Sequence, residues 1–211
     1  MIPGLPPLKV IETQTLGSSA ASVTLPASGT IADLMPSGSR HVVVLINGIT
    51  TSGQQNLNVR FNGDSGNNYN TQGLDGAGSS ASAFRQDAQA QTIITVMGAD
   101  SNEFGGGMLL IPHAFGTSNH KATLGFGGNV ENIVRTTAGR WANTAAITSV
   151  TILLGGNSLD AGTVIKLCVV DEDYLYHATD GEVILGSDGT FTFDSLPDAA
   201  GDLSFILYGR S

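Results

Sequence analysis

The residues best placed to do chemistry lie between Phe61 and Tyr69, in the string F-N-G-D-S-G-N-N-Y. Gly63-Asp64-Ser65-Gly66 sets a hydroxyl beside a carboxylate between two small residues, as a nucleophile on a tight turn would require. Acyl transfer by such a serine also needs a histidine base and a buried orienting carboxylate. The only histidine upstream is His41, at the head of an apolar run, and the nucleophile reading fails there. Asn62, Asp64, Asn67 and Asn68 also offer oxygens to a hard cation, and Asp100, Asn102 and Glu103 form a second, weaker oxygen cluster. Neither has EF-hand spacing or a closing glutamate. Asx-rich turns that satisfy their own backbone are the expectation for both, with no metal bound.

The four histidines, His41, His113, His120 and His177, show no metal-ligand spacing and are expected to be structural or exposed. Cys168 stands in a strongly apolar run, which predicts a buried and inert thiol. Gly105-Gly106-Gly107 lacks the continuation of a dinucleotide fingerprint. No cofactor and no catalytic group are expected. A glycan-cleaving carboxylate pair is the enzymatic alternative, since such pairs meet only in the fold.

Composition narrows the class. The chain has 211 residues, 28 of them glycine, with 41% hydrophobic and only 13% charged. Soluble domains average about 25% charged, but the apolar share suffices for a core. A net charge of −9 with nine scattered basic residues argues against a nucleic-acid surface. One cysteine excludes an intrachain disulfide. No apolar run reaches the ~18 residues of a membrane span. The start, M-I-P-G-L-P-P-L, has neither the basic nor the long apolar region of a signal peptide.

The elements that must position these residues read as short strands. Lys9 to Thr15, Ser22 to Pro26, His41 to Ile46, Leu57 to Phe61, Thr92 to Ala99, Met108 to Ile111, Lys121 to Phe126, Ala145 to Leu154 and Gly162 to Val170 are β-branched or alternating. His41 to Ile46 is apolar throughout, the mark of a strand buried on both faces. No window carries helical periodicity. Short strands with Gly/Asn turns predict an all-β fold, a jelly roll or β-sandwich. Thr71 to Gln91 and Gly127 to Thr144 read as long loops. The first holds Phe84 and Arg85, and the second holds Arg140 and Trp141.

Three regions follow: a Pro-rich arm over 1–8, a jelly-roll domain over 9–170 and a short C-terminal β extension over 171–211. Leu34 to Gly48 is echoed by Ser195 to Gly209 at an offset of 161 residues. The extension carries Asp180-Gly181 and Asp188-Gly189 turns, and it is expected to add to a sheet, its own or a neighbour's. The echo suggests the edge beside Val42 to Ile46.

The order of strings resembles a widespread group of bacteriophage virion proteins. Their pattern is an opening apolar strand pair, F-N-G-D-(T/S)-G-x-N-Y, a central H-K or R-K strand, then W-x-x-T-A-A-I-T-S-I and a closing aliphatic strand. Here the pieces are Phe61 to Tyr69, His120-Lys121, and Trp141 with Thr144, Ala145, Ala146 and Ile147. The usual closing Tyr-Gly is replaced by Cys168-Val169, and Tyr208-Gly209 stands at the extreme C-terminus instead. The resemblance implies an external jelly-roll module of tail, collar or capsid, made in the host cytoplasm and often trimeric. A homotrimer contacting other phage virion proteins is therefore expected. Within the motif, Phe61 and Tyr69 are expected as packing anchors, Gly63 and Gly66 as positive-φ positions, and Asp64 and Asn67 as partners of turn amides. Recognition of a host surface glycan is the alternative function, with Phe84, Arg85, Arg140 and Trp141 as candidate glycan or interface contacts. For Trp141, packing at a subunit interface is the competing role.

Overall fold

The computed structural model describes residues 8–35, 40–51, 53–98, 105–129 and 133–170. The arm over 1–7, the oxygen cluster of Asp100, Asn102 and Glu103, His177, the second copy of the echo and the C-terminal extension lie outside them. The strands of the first half are β1 (Leu8–Thr15), β2 (Ser22–Leu25), β3 (Val42–Gly48), β4 (Gln55–Phe61), β5 (Tyr69–Ala77) and β6 (Ser80–Gln89). Those of the second half are β7 (Thr92–Met97), β8 (Gly105–Ile111), β9 (Lys121–Gly128), β10 (Val134–Trp141), β11 (Val150–Leu154) and β12 (Val164–Val170).

The fold is all-β, as the pattern predicts. Its one described helix, α1 (Ile31–Leu34), is a single turn, too short to leave a periodic signal. Asp33 fixes its start by accepting from the Thr30 backbone N–H and hydroxyl, both at 2.8 Å.

Four antiparallel pairs nest inside one another along the chain: β1 with β12, β2 with β11, β3 with β8, and β4 with β7. Pairing of β12 with β3 and of β11 with β4 then rolls these ribbons into two sheets. That is the strand order of a jelly roll. Two hairpin insertions depart from it. β9–β10 enters after β8, β5–β6 enters after β4, and together they widen the first sheet to β1-β12-β3-β8-β9-β10-β5-β6. The second sheet is β2-β11-β4-β7, and the sandwich does not close into a barrel.

The two long segments read as loops are therefore mostly strand. Thr71 to Gln91 forms the β5–β6 hairpin, which turns at Gly78-Ser79 with Gly78 at φ 57°. Gly127 to Thr144 contains β10. Conversely, only Val150 to Leu154 of the long run from Ala145 is strand, and Gly105-Gly106-Gly107 opens β8 rather than preceding it. Pro112 follows β8 and ends it.

The core lies between the sheets. Val42, Val44 and Ile46 of β3, Leu109 and Ile111 of β8, and Ile165, Leu167 and Val169 of β12 face Leu57, Val59, Ile94, Met97 and Ile152 of the second sheet's strands. The inserted strands β9 and β10 pack over β7. Gly125 permits that approach, because a Cβ there would lie 2.6 Å from the Ile94 carbonyl oxygen. β3 is hydrogen-bonded on both sides, by β12 and β8. The edge expected beside Val42 to Ile46 is therefore already filled, and a further strand cannot add there.

Candidate functional site

The F-N-G-D-S-G-N-N-Y string joins the end of β4 to the start of β5. Phe61-Asn62-Gly63-Asp64 closes with the Asp64 N–H donating to the Phe61 carbonyl at 2.9 Å. Asn62 at φ 54° and Gly63 at φ 69° are both left-handed, the requirement of a type I′ turn and the reason Asn-Gly stands there. The second positive φ thus belongs to Asn62, not to Gly66. Gly66 is small for another reason: a Cβ would lie 2.8 Å from Asn68 Nδ2 and 3.1 Å from Asp64 Oδ1.

Asp64 gathers the turn. Its carboxylate accepts from the Gly66 N–H at 2.8 Å, Asn68 Nδ2 at 3.0 Å and Trp141 Nε1 at 2.7 Å. The Trp141 bond, more than the others, holds this carboxyl below its ordinary range. Asn67, expected to satisfy a turn amide, is exposed, and the neighbouring Asn68 uses its side-chain amide to donate to Asp64. Tyr69 donates its hydroxyl to the Asp64 carbonyl at 3.1 Å and accepts from the Phe61 N–H at 3.0 Å. Burial pushes the phenol up to about 12.

Asn62 reaches across to a distant segment. Its Oδ1 accepts from the Thr148 N–H at 2.7 Å and the Ser149 N–H at 3.2 Å, and its Nδ2 donates to the Ala146 carbonyl at 2.8 Å. Lys121 is buried at 2% exposure and donates to the Asn119 and Thr144 carbonyls, each at 3.0 Å. Desolvation lowers its pKa. Trp141 stacks on Tyr69 at 6.3 Å and 15° and tilts against Phe61 at 5.6 Å, with all three rings inside the core. F-N-G-D-S-G-N-N-Y, Lys121, Trp141 and T-A-A-I-T-S therefore meet in one clasp.

That geometry corrects the glycan candidates. Trp141 is 1% exposed within a single chain, so its face is offered neither to a sugar nor to a neighbouring subunit. Phe84 is half-buried, lies against Gly73 and covers the Arg135 guanidinium at 4.6 Å. Arg85 and Arg140 remain exposed and share a polar row. Arg85 pairs with Asp87 at 2.8 Å, Asn70 Nδ2 donates to Asp87, and Arg140 donates to Asn70 Oδ1 at 3.1 Å.

Sequence reasoning missed Arg135. It donates to both oxygens of Asp75, at 2.6 and 2.7 Å, and to Asn56 Oδ1 at 2.6 Å, tying the widened sheet to β4. Its only sequence signal is the alternation Arg135, Thr137, Gly139, Trp141 on the inward side, which lacks aliphatic residues.

Other candidates are placed as follows. His41 and His113 meet edge to face at 5.7 Å, and the His113 N–H donates to His41 Nδ1 at 3.2 Å. Burial, then the neighbouring His113 and Arg40, lower the His41 pKa to about 4. His120 is exposed, and Cys168 is buried with its thiol pKa raised by desolvation. Among the described residues no three His, Cys, Asp or Glu side chains come together to hold a metal. No described helix is long and apolar enough to cross a membrane. A shallow groove of about 320 Å³, between Phe126 and Val134, has Arg135, already paired with Asp75, as the only ionisable side chain among its described lining residues. No family model matches the chain, and neither a curated protein nor a solved structure is similar to it.

Proposed function

We propose that this chain is a non-enzymatic structural component of a bacteriophage particle, an externally placed jelly-roll module of tail, collar or capsid that assembles through subunit contacts as a homotrimer. One observation carries the reading. The separate strings that resemble phage virion proteins are hydrogen-bonded or stacked partners in a single clasp at one end of the sandwich. A set of residues that must meet to hold two sheets together explains why the strings occur together and in order. The side chains of Asn62, Asp64, Tyr69, Lys121 and Trp141 are engaged within that clasp, which suits a static part better than a site that must release a product.

The direct test is location. Particles released by cells carrying the gene, purified and stained with antibody against this chain, should carry gold label at a fixed position on their exterior. Abundant protein in the lysate with none in purified particles would sink the proposal. Glycan recognition is left with Arg85 and Arg140 as its exposed contacts. A glycan array in which saturable binding disappears in Arg85→Ala or Arg140→Ala would favour it over a purely structural role.

A further inference from the structure

The first sheet has a second apolar face. On the side away from the core, Val10, Cys168, Val43 and Leu110 stand in register across β1, β12, β3 and β8. Leu45 and Met108 form the next row, beside the exposed Lys166 of β12, and the half-exposed Leu124 and Phe126 of β9 lie beyond its margin. The four strands β1, β12, β3 and β8 span about 15 Å. A sheet face left in water normally alternates apolar with polar residues. Here V-V-V-L-I of β3 and L-C-V-V of β12 do not alternate, which is the pattern of strands covered on both sides.

Burial agrees with that pattern in the middle of the face, while Val10 at its β1 side is 47% exposed. Val43, Cys168 and Val170 are 3%, 0% and 2% exposed and form a cluster separate from the core. Its described members, these three with Leu8, Leu45, Met108 and Leu110, all belong to adjacent strands of this one sheet. Flanking strands shield the sides of a residue in the middle of a sheet face but leave its top open.

We infer that this outer face is the docking surface for residues 171–211 of the same chain, the covering segment that makes the first sheet the middle layer of the molecule. Position favours this occupant. The chain leaves β12 at Val170, itself a member of the cluster, and 41 residues follow. They include Phe191, Phe193, Phe205, Ile206, Leu207 and Tyr208, enough apolar surface to cover such a patch. A tether also places the segment at an effective concentration in the millimolar range, well above that of a second copy in dilute solution. Because β3 is paired on both sides, the segment cannot add a strand beside it, and the apolar face itself is the surface that it covers.

Cys168 is the chain's single cysteine and lies at the centre of the patch, so it reports the cover directly. In the full-length protein its alkylation by a maleimide should run more than about 100-fold slower than in the urea-denatured chain. The rate should not change on dilution from micromolar to nanomolar. Replacing Phe191, Phe193, Phe205 and Leu207 with serine in the full chain should speed it at least about tenfold, with the far-ultraviolet circular dichroism unchanged. A thiol still protected in that folded variant would overturn the inference. So would protection lost on dilution, which would identify a second copy as the cover. Should the quadruple variant not fold, Leu45→Lys places a charge on the half-buried face itself. It should accelerate proteolysis within 171–211 while residues 8–170 stay intact. Equal digestion rates in Leu45→Lys and the unaltered chain would overturn the inference as well.

Discussion

Asn62 shows how much of this fold rests on one side chain. It adopts a left-handed backbone that β-branched and bulky residues resist, and its amide holds both directions of a segment more than eighty residues away. Asn62→Ala should lose the bonds and strain the turn, costing about 3 kcal/mol, whereas Asn62→Gly relieves the strain and should cost about 1 kcal/mol less. Urea unfolding midpoints of the two variants check the order, and equal losses would mean the turn conformation is not a factor. His41 supplies a second prediction at this scale. Its folded pKa of about 4 lies below the ordinary 6.5, so the unfolded chain takes up a proton first as the pH falls. The stability that neutral His41 contributes is full above pH 6.5 and declines as the pH drops toward 4. Denaturant unfolding at pH 7.5 and 4.5 should show a smaller loss in His41→Gln than in the unaltered chain. Because the ring is partly exposed, the difference should be modest.

Among the elements, Arg135 marks the join between the jelly roll and its insertion. The pair with Asp75 is nearly buried, at 9% and 13% side-chain exposure, and Phe84 closes over it. Arg135→Met keeps the length of the side chain but leaves the Asp75 carboxylate without its partner, and should destabilise by about 3 kcal/mol. Restoring stability in Arg135→Met with Asp75→Leu, measured by thermal unfolding, would attribute the loss to the orphaned charge. The same region explains what was legible in the sequence. β3, β7, β11 and β12 show themselves as aliphatic runs because they are buried along most of their length. β6 is exposed along nearly all its length, so its Ser, Ala and Gln carry no alternation. β10 turns Arg135, Thr137 and Trp141 inward, and two of those three are polar. The motif's structural character could be read from its Asn-Gly and Asx chemistry. Its partners could not, because the amide of Asn62 bonds backbone groups of 146–149, and backbone groups leave no residue-specific trace in a sequence. Trp141 fell between two readings for a related reason. A lone aromatic beside an arginine looks alike in sequence whether it faces a sugar or packs on Tyr69.

At the scale of the whole molecule, charge constrains how copies can meet. The chain carries −9 with only nine basic residues. Lys121 and Arg135 are buried and engaged within the protomer, and Arg85 is paired with its own Asp87. Three of the nine cations are thus committed within the protomer, and like-charged copies repel at low ionic strength. In the proposed homotrimer, contacts between subunits are then expected to rest mainly on apolar surface and backbone edges. Exposed Leu74, Val134, Leu124 and Phe126 lie together on the widened part of the first sheet, beyond the patch around Cys168. Apolar association is not weakened by salt, and screening removes the repulsion that opposes it. The proposed homotrimer should then hold or gain population between 0.05 and 0.5 M sodium chloride, read as mass by light scattering across a dilution series. Dissociation on adding salt would mean that ion pairs hold the copies together, and the assembly described here would be wrong. Leu74→Lys with Val134→Lys should shift the same series toward monomer at every salt concentration. Both side chains are exposed in the protomer, so its thermal unfolding should remain within about 0.5 kcal/mol of the parent.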